Sequence, residues 1–159
     1  MLKIRVICVG KLKEKYWVDA VGEYAKRMRP YAGLEIVELK ESRLKADGAS
    51  YEEMVREEES REILSKIRPG DYVISLEIKG KKCSSEAFSE KIREVENSGA
   101  GTLDFVIGGS LGFTQDVSRR ADYKLSFSDM TFPHQMMRVV LLEQIYRAYK
   151  IMRNEPYHK

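Results

Sequence analysis

LSFSDMTFPHQMMRVVLLEQIYRAYKIMRNEPYHK, residues 125–159, holds the most apolar helical pattern of the chain. Pro133 suits a helix start, because its missing N–H would have no partner in a first turn anyway. Residues 134–152 contain no Gly or Pro, and apolar residues recur from Met136 and Met137 through Leu141, Leu142 and Ile145 to Ile151 and Met152. That is too many for one stripe, so the helix is buried on most sides. Arg138, Glu143, Arg147 and Lys150 break it too often for a membrane span. A last helix without a wet face points to a subunit interface, most simply a two-fold dimer. A central helix within one subunit is the alternative. Glu143 and Arg147 are four apart, the spacing of an ordinary helix-surface ion pair. Asn154, Glu155 and Pro156 end the helix, and by default Tyr157, His158 and Lys159 are a frayed tail.

Upstream, strand and helix patterns alternate. Residues 2–9 (LKIRVICV), 34–39 (LEIVEL), 72–78 (YVISLEI), 103–107 (LDFVI) and 123–127 carry strand patterning. Lys79, Gly80, Lys81 and Lys82 are expected to end the third strand. Helices are expected over residues 16–28, 51–67, about 85–97 and 114–121, with Ser84 or Ser85 capping the third and Thr114 the fourth. The helix over 51–67 should bury Met54, Val55, Ile63, Leu64 and Ile67 and expose its run of glutamates. Residues 40–50, with the Asp47-Gly48 turn signal, read as a surface loop. Five strand–helix units imply an α/β fold, a mostly parallel sheet flanked by helices, in one domain over residues 1–159.

At 159 residues the chain is long enough for a real core. No signal peptide and no membrane-length apolar run is seen, so a soluble, cytoplasmic protein with no membrane partner is expected. Cys8 sits in an apolar run, and neither it nor Cys83 belongs to a CxxC pair, which argues against structural zinc or a disulfide framework. No His/carboxylate cluster suggests any other metal. Net charge is +3, with eight Lys/Arg against three acids in residues 1–29 and five against two in residues 131–159. Two basic ends brought together would suit phosphates, with scattered solvated lysines as the competing reading; the loop from Lys11 to Lys15 and Arg138 or Arg153 are the candidate contacts.

In open parallel sheets, ligands bind at the carboxyl ends of strands. Three such ends stand out: residues 76–80, residues 107–110 and residues 127–132. All three can converge on one pocket. Gly108, Gly109 and Gly112 do not spell GxGxxG, so they favour close backbone approach, to a ligand or in a plain turn, over a dinucleotide fold. No GxSxG elbow and no Walker A motif is present.

The segments FVIGGSLG (105–112), LSFSDMTFPHQMMRVVLLEQIYRAYKI (125–151) and the terminal PYHK (156–159) closely resemble the small ribosomal RNA methyltransferases of the RlmH (YbeA) family. These are minimal members of the SPOUT, or trefoil-knot, superfamily. VGKLKEKYW (9–17) and VISLEIKGK (73–81) are similar to the same family, so the likeness spans the whole chain. The resemblance implies a C-terminal trefoil knot and a homodimer. It implies S-adenosyl-L-methionine as methyl donor and N3 of a pseudouridine in helix 69 of 23S ribosomal RNA, within the assembled ribosome, as acceptor. Carried over position by position, the cofactor contacts fall on Leu76, Gly108, Phe127, Ser128, Asp129, Met130, Thr131 and Phe132, with Asp129 contributing its backbone. The catalytic positions fall on Glu143, Arg147, Tyr157 and His158. His158 is then the candidate base for the N3 proton, Arg147 a stabiliser of the flanking carbonyl oxygens, Glu143 its orienter and Tyr157 a contact to the nucleotide. Three other functions remain open: a SPOUT enzyme acting on tRNA, a non-catalytic ribosome-binding or assembly factor, and a Rossmann-like binder of NAD or ATP.

Overall fold

A computed structural model describes residues 1–43 and 46–159. Residues 44 and 45, inside the loop expected over 40–50, lie outside the described residues. The elements run β1 (Lys3–Val9), α1 (Lys15–Met28), β2 (Gly33–Leu39), α2 (Ala49–Lys66), β3 (Tyr72–Lys82), α3 (Ser85–Asn97), β4 (Thr102–Ile107), α4 (Gln115–Arg120), β5 (Tyr123–Ser126) and α5 (His134–Met152). The sheet order is β2-β1-β4-β3-β5, and every neighbouring pair is parallel.

Alternation along the strands assigns the two faces. Ile4, Val6 and Cys8 of β1 join Leu103, Phe105 and Ile107 of β4 in one core, closed by α1, α3 and α5. Ile7, Val9 and Val106 point the other way, against Ile63 of α2 and Val117 of α4. Arg5 and Asp104 are register partners on that second face. They form a buried two-bond pair of 2.7 and 2.9 Å, which Asp71 joins at 3.3 Å. Cys8 is fully buried, and burial pushes its thiol up to about 11.

α5 packs between α1 and α3. Arg138, Leu141, Leu142, Ile145, Ala148 and Tyr149 are its buried side. Met136, Val140, Glu143, Arg147 and Ile151 form a half-exposed outer stripe at helical spacing. Much of the apolar excess expected to cover a subunit interface is thus used within the chain, and Met136, Val140 and Ile151 are the apolar residues of the outer stripe.

Four local expectations are corrected. β3 does not end at residue 78. It pairs with β5 through Leu76↔Leu125, bulges over residues 77–80, and resumes at Lys81↔Leu125 and Lys82↔Ser126. In α2, Met54 is exposed, while Glu59 is buried and accepts the Ser42 N–H at 3.0 Å. Thr114 stands at the N-cap of α4 without a side-chain cap, and its own N–H donates to Ser60 Oγ. Ser84, in contrast, caps α3 as expected by accepting the Ala87 N–H at 3.1 Å. Arg138 is no phosphate contact, because it is 1 % exposed. A longitudinal pattern of letters does not distinguish an arginine facing the core from one facing water; the strand ends it binds come from elsewhere in the chain.

The bulge brings Gly80 onto the β5 backbone. A Cβ there would lie 2.8 Å from Leu125 C and 2.9 Å from Lys124 C and O. Backbone cannot swing aside as a side chain can. Gly80→Ala is therefore expected to cost about 1–3 kcal/mol, read as a lower urea midpoint. Gly22→Ala is the control: it meets nothing within 4 Å in the interior of α1 and should be neutral or stabilising by up to about 1 kcal/mol.

Candidate active site

Two separate constellations use the residues singled out from sequence. The first is a cavity of about 730 Å³ at the bulge of β3 and the carboxyl ends of β4 and β5. Leu76, Gly108, Phe127, Ser128, Met130, Thr131 and Phe132 all line it, so the three strand ends do converge. Asp129 does not line it; its exposed carboxylate pairs with Lys82. Ser128 Oγ accepts the Met130 N–H at 3.0 Å and so shapes the loop itself. The glycine loop closes on itself through Gly112 N–H to Gly109 O at 3.0 Å, with Gly112 at φ +77°. A Cβ on Gly108 would come 3.0 Å from Gly112 C and Phe113 Cδ1, so this position has to stay small.

Glu77, Phe113, His134 and Met137 also line the cavity, although none of them was among the cofactor contacts that the resemblance implied. Glu77 accepts hydrogen bonds from Ser75 Oγ at 2.5 Å and Ser118 Oγ at 2.9 Å. Its place at a strand end was the available signal. His134 opens α5, and its buried Nδ1 has no hydrogen-bond partner. Burial first, then the Arg138 charge, hold its pKa below the usual 6.5, against a smaller opposite effect of Glu41. The folded state thus favours neutral His134. The unfolded chain takes up this proton near 6.5, the folded chain only at lower pH, so between the two the unfolded state binds more protons. Stability from this group is present above 6.5 and is lost as pH falls through that window. Denaturant unfolding of the wild type and of His134→Gln should show the wild-type advantage shrinking on acidification below about pH 6.5.

The second constellation lies at the other end of α5. Glu143 Oε1 accepts from Arg147 Nη2 at 2.7 Å and from the Tyr157 hydroxyl at 2.9 Å. Arg147 Nη1 lies 3.1 Å from His158 Nδ1, and its guanidinium sits over the Tyr157 ring, 4.6 Å from the centroid. The tail that short length marked as frayed is folded back. Asn154, in the left-handed region at φ +53°, reverses the chain, and Glu155 pins the turn to Tyr31 at 2.6 Å and Lys150 at 2.7 Å. All four catalytic candidates thus meet in one cluster. Burial and the Glu143 hydrogen bond push the Tyr157 phenol up to about 12. It is a neutral donor near pH 7, which removes it as a proton acceptor. The Glu143 hydrogen bond holds Arg147 firmly charged.

None of these four residues lines the cavity. His134 lines it, and Glu143 and Arg147 follow nine and thirteen residues later on the same helix. At about 1.5 Å per residue they stand roughly 14 and 20 Å further along the axis. A second cavity of about 920 Å³ adjoins the first, sharing Ser110, and is rimmed by Lys11, Lys13, Lys40 and Arg43. Of the candidate phosphate contacts, Lys11 and Lys13 stand on this rim beside Glu38, Glu41 and Glu59, whereas Arg153 lies over the Tyr31 ring, 4.8 Å from its centroid. Among the described residues no group of three or more His, Cys, Asp or Glu is placed to hold a metal, and no helix is long and apolar enough to cross a membrane.

The fold is a parallel α/β sheet with a cavity walled by a loop that runs directly into the last helix. The chain belongs to the SPOUT methyltransferase family: the family model described as "Predicted SPOUT methyltransferase" matches residues 2–158. It is a methyltransferase, and members of this family generally take their methyl group from S-adenosylmethionine. Among solved structures, a protein described as "a probable methylase family protein from Haemophilus influenzae Rd KW20" superposes with a TM-score of 0.56 at 15% identity, over 98% of this chain and 70% of that one. At that identity the likeness concerns the fold.

The cavity fits such a cofactor. Its volume lies in the range of small-molecule sites. Leu76, Ile107, Leu125, Phe127 and Met137 give it apolar walls, and Glu77, Ser128 and the backbone of residues 108–110 and 130–132 give it polar edges.

Proposed function

We propose that the protein methylates N3 of a pseudouridine in helix 69 of 23S ribosomal RNA with S-adenosylmethionine, acting as a homodimer on the assembled ribosome. The observation that carries this is the closed cluster of Glu143, Arg147, Tyr157 and His158, lodged on the outer stripe of α5 and remote from the chain's own pocket. In a two-fold dimer, packing α5 antiparallel against its copy brings the tail end of one helix over the pocket end of the other. Met136, Val140 and Ile151 on that stripe, with Ile78, Met130 and Phe132 exposed near the pocket, supply the apolar surface. The same proposal includes the family's trefoil knot.

When bound, S-adenosylmethionine supplies an electrophilic methyl on a sulfonium. The remaining work is to align N3 and remove its proton. His158 is the acceptor, since imidazole is the most common general base and its Nδ1 faces into the cluster, 3.1 Å from Arg147 Nη1. Arg147, held charged and oriented by Glu143, faces the carbonyl oxygens on which negative charge collects. Tyr157 stays neutral and packs edge-on to Tyr146 with ring centroids 4.9 Å apart, presenting a surface for the nucleotide. Lys11, Lys13, Lys40 and Arg43 receive phosphates next to the pocket. Incubation with ribosomes and labelled S-adenosylmethionine, followed by mass spectrometry of digested RNA, should find the label on one pseudouridine of 23S RNA. Label on tRNA alone, or none on RNA, would sink the assignment.

A further inference from the structure

Glu86 is not part of the pocket and belongs to none of the motifs above. It stands in the first turn of α3, with its Oε1 2.7 Å from His158 Nε2. The other ring nitrogen, Nδ1, faces Arg147 Nη1 at 3.1 Å. A guanidinium only donates, so Nδ1 must present its lone pair. The ring proton therefore sits on Nε2 and is donated to Glu86. The two contacts select one tautomer and one ring orientation. The neighbouring residue strengthens the case: Ser85 Oγ donates to Gln144 Oε1 at 2.8 Å, and Gln144 Nε2 donates to Glu143 Oε2 at 3.1 Å. The first turn of α3 thus holds the cluster at both ends, through Ser85 to Glu143 and through Glu86 to His158. The carboxylate gains as well, since the His158 hydrogen bond holds Glu86 below the usual carboxylate range.

We propose that Glu86 is a positioning residue for methyl transfer: it fixes His158 as the Nε2–H tautomer, leaving Nδ1 to accept the N3 proton. This rests on His158 being the acceptor in the reaction proposed above. The guanidinium occupies Nδ1 in the resting cluster, so the target base takes its place there and Arg147 turns to the carbonyl oxygen beside N3. The N3–H bond breaks as N3 bonds to the methyl carbon, the S–C electron pair stays on sulfur, and the proton passes to Nδ1. The imidazolium so formed keeps its Nε2–H on the Glu86 carboxylate, which stabilises the new charge as the carboxylate of a Ser-His-Asp triad does. The proton then leaves to water.

Glu86 is 62% exposed and its removal leaves the core intact. The test takes the full-length protein, Glu86→Ala and Glu86→Gln, and reads two quantities: steady-state methylation of ribosomes, and the His158 tautomer from side-chain ¹⁵N NMR of the free protein. Glu86→Ala should lower kcat on the order of ten- to a hundredfold, leave KM for S-adenosylmethionine unchanged, and release the Nε2–H preference. Glu86→Gln retains an acceptor oxygen without the charge, so it should recover the tautomer and only part of the rate. Wild-type kcat in Glu86→Ala overturns the proposal, and so does a wild-type tautomer in that variant. A wild-type protein that methylates no pseudouridine would overturn the functional assignment instead; the tautomer measurement, made without substrate, still decides the Glu86–His158 contact.

Discussion

Removal of Tyr157, His158 and Lys159 should abolish methyl transfer, by about a thousandfold or more, while binding of S-adenosylmethionine stays within about twofold of the wild type. The asymmetry follows from geometry. Every cavity-lining residue lies between Leu76 and Met137, so the truncation touches no wall of the pocket. It removes His158, the proposed proton acceptor, and the Tyr157 phenol, both held by Arg147 and Glu143. It leaves the turn at Asn154 and its Glu155 anchor in place, so α5 still ends as before. Calorimetry with S-adenosylmethionine and a ribosome methylation assay on the same preparation separate the two effects. Lost cofactor binding would show that the tail supports the pocket rather than the chemistry.

The largest stability effect is expected at Arg138. Its Nη1 donates to Glu38 Oε2 at 2.8 Å, and its Nη2 to Val9 O at 3.0 Å and Gly10 O at 2.7 Å. The same Glu38 oxygen receives the Leu12 N–H at 3.1 Å. One buried side chain on α5 thus ties down the end of β1, the end of β2 and the loop that carries Lys11 and Lys13. Its Nε has no partner, so the site is already a demanding place for a charge. Arg138→Ala removes a cation, leaves the partly buried Glu38 carboxylate without its counter-charge and takes a donor from the Val9 and Gly10 carbonyls, a loss of about 3–5 kcal/mol. At this chain length that corresponds to roughly 6–20 °C in Tm. Calorimetric or urea unfolding reads it directly, and a loss under about 1 kcal/mol would mean that the pair behaves as a surface salt bridge. Arg138→Lys should fall between, since an ammonium cannot match the fork that spans Glu38 and both carbonyls.

The strand and helix pattern, the parallel sheet and the convergence of three strand ends were legible in the sequence, because each rests on local periodicity and on a general rule for α/β sheets. The resemblance brought together Glu143, Arg147, Tyr157 and His158, which spacing alone would have split into a surface pair and a frayed tail. Arg138 shows what was not legible. Its partners Val9, Gly10 and Glu38 lie far away in the chain, and only the packing of α5 over the β1 and β2 ends turns a helix arginine inward. Glu59 sank for the same reason, since an acidic run shows the charge of a helix but not which turn of it meets the sheet. Glu86 escaped because its meaning depends on the tail folding back across α3. The bulge in β3 was hidden because Gly80 reads as a strand terminator until β5 is laid against it.

The central claim is that each active site is shared, with the pocket from one subunit and the catalytic tail from the other. Mixing two inactive variants tests it most directly. One lacks residues 157–159 and keeps its pocket; the other carries Leu76→Arg, which places a charge in the pocket wall, and keeps its tail. After subunit exchange, half of the dimers are mixed and each mixed dimer has one complete site of two. The account predicts that activity returns to roughly a quarter of wild type. A mixture that has demonstrably exchanged subunits and remains inactive would contradict it.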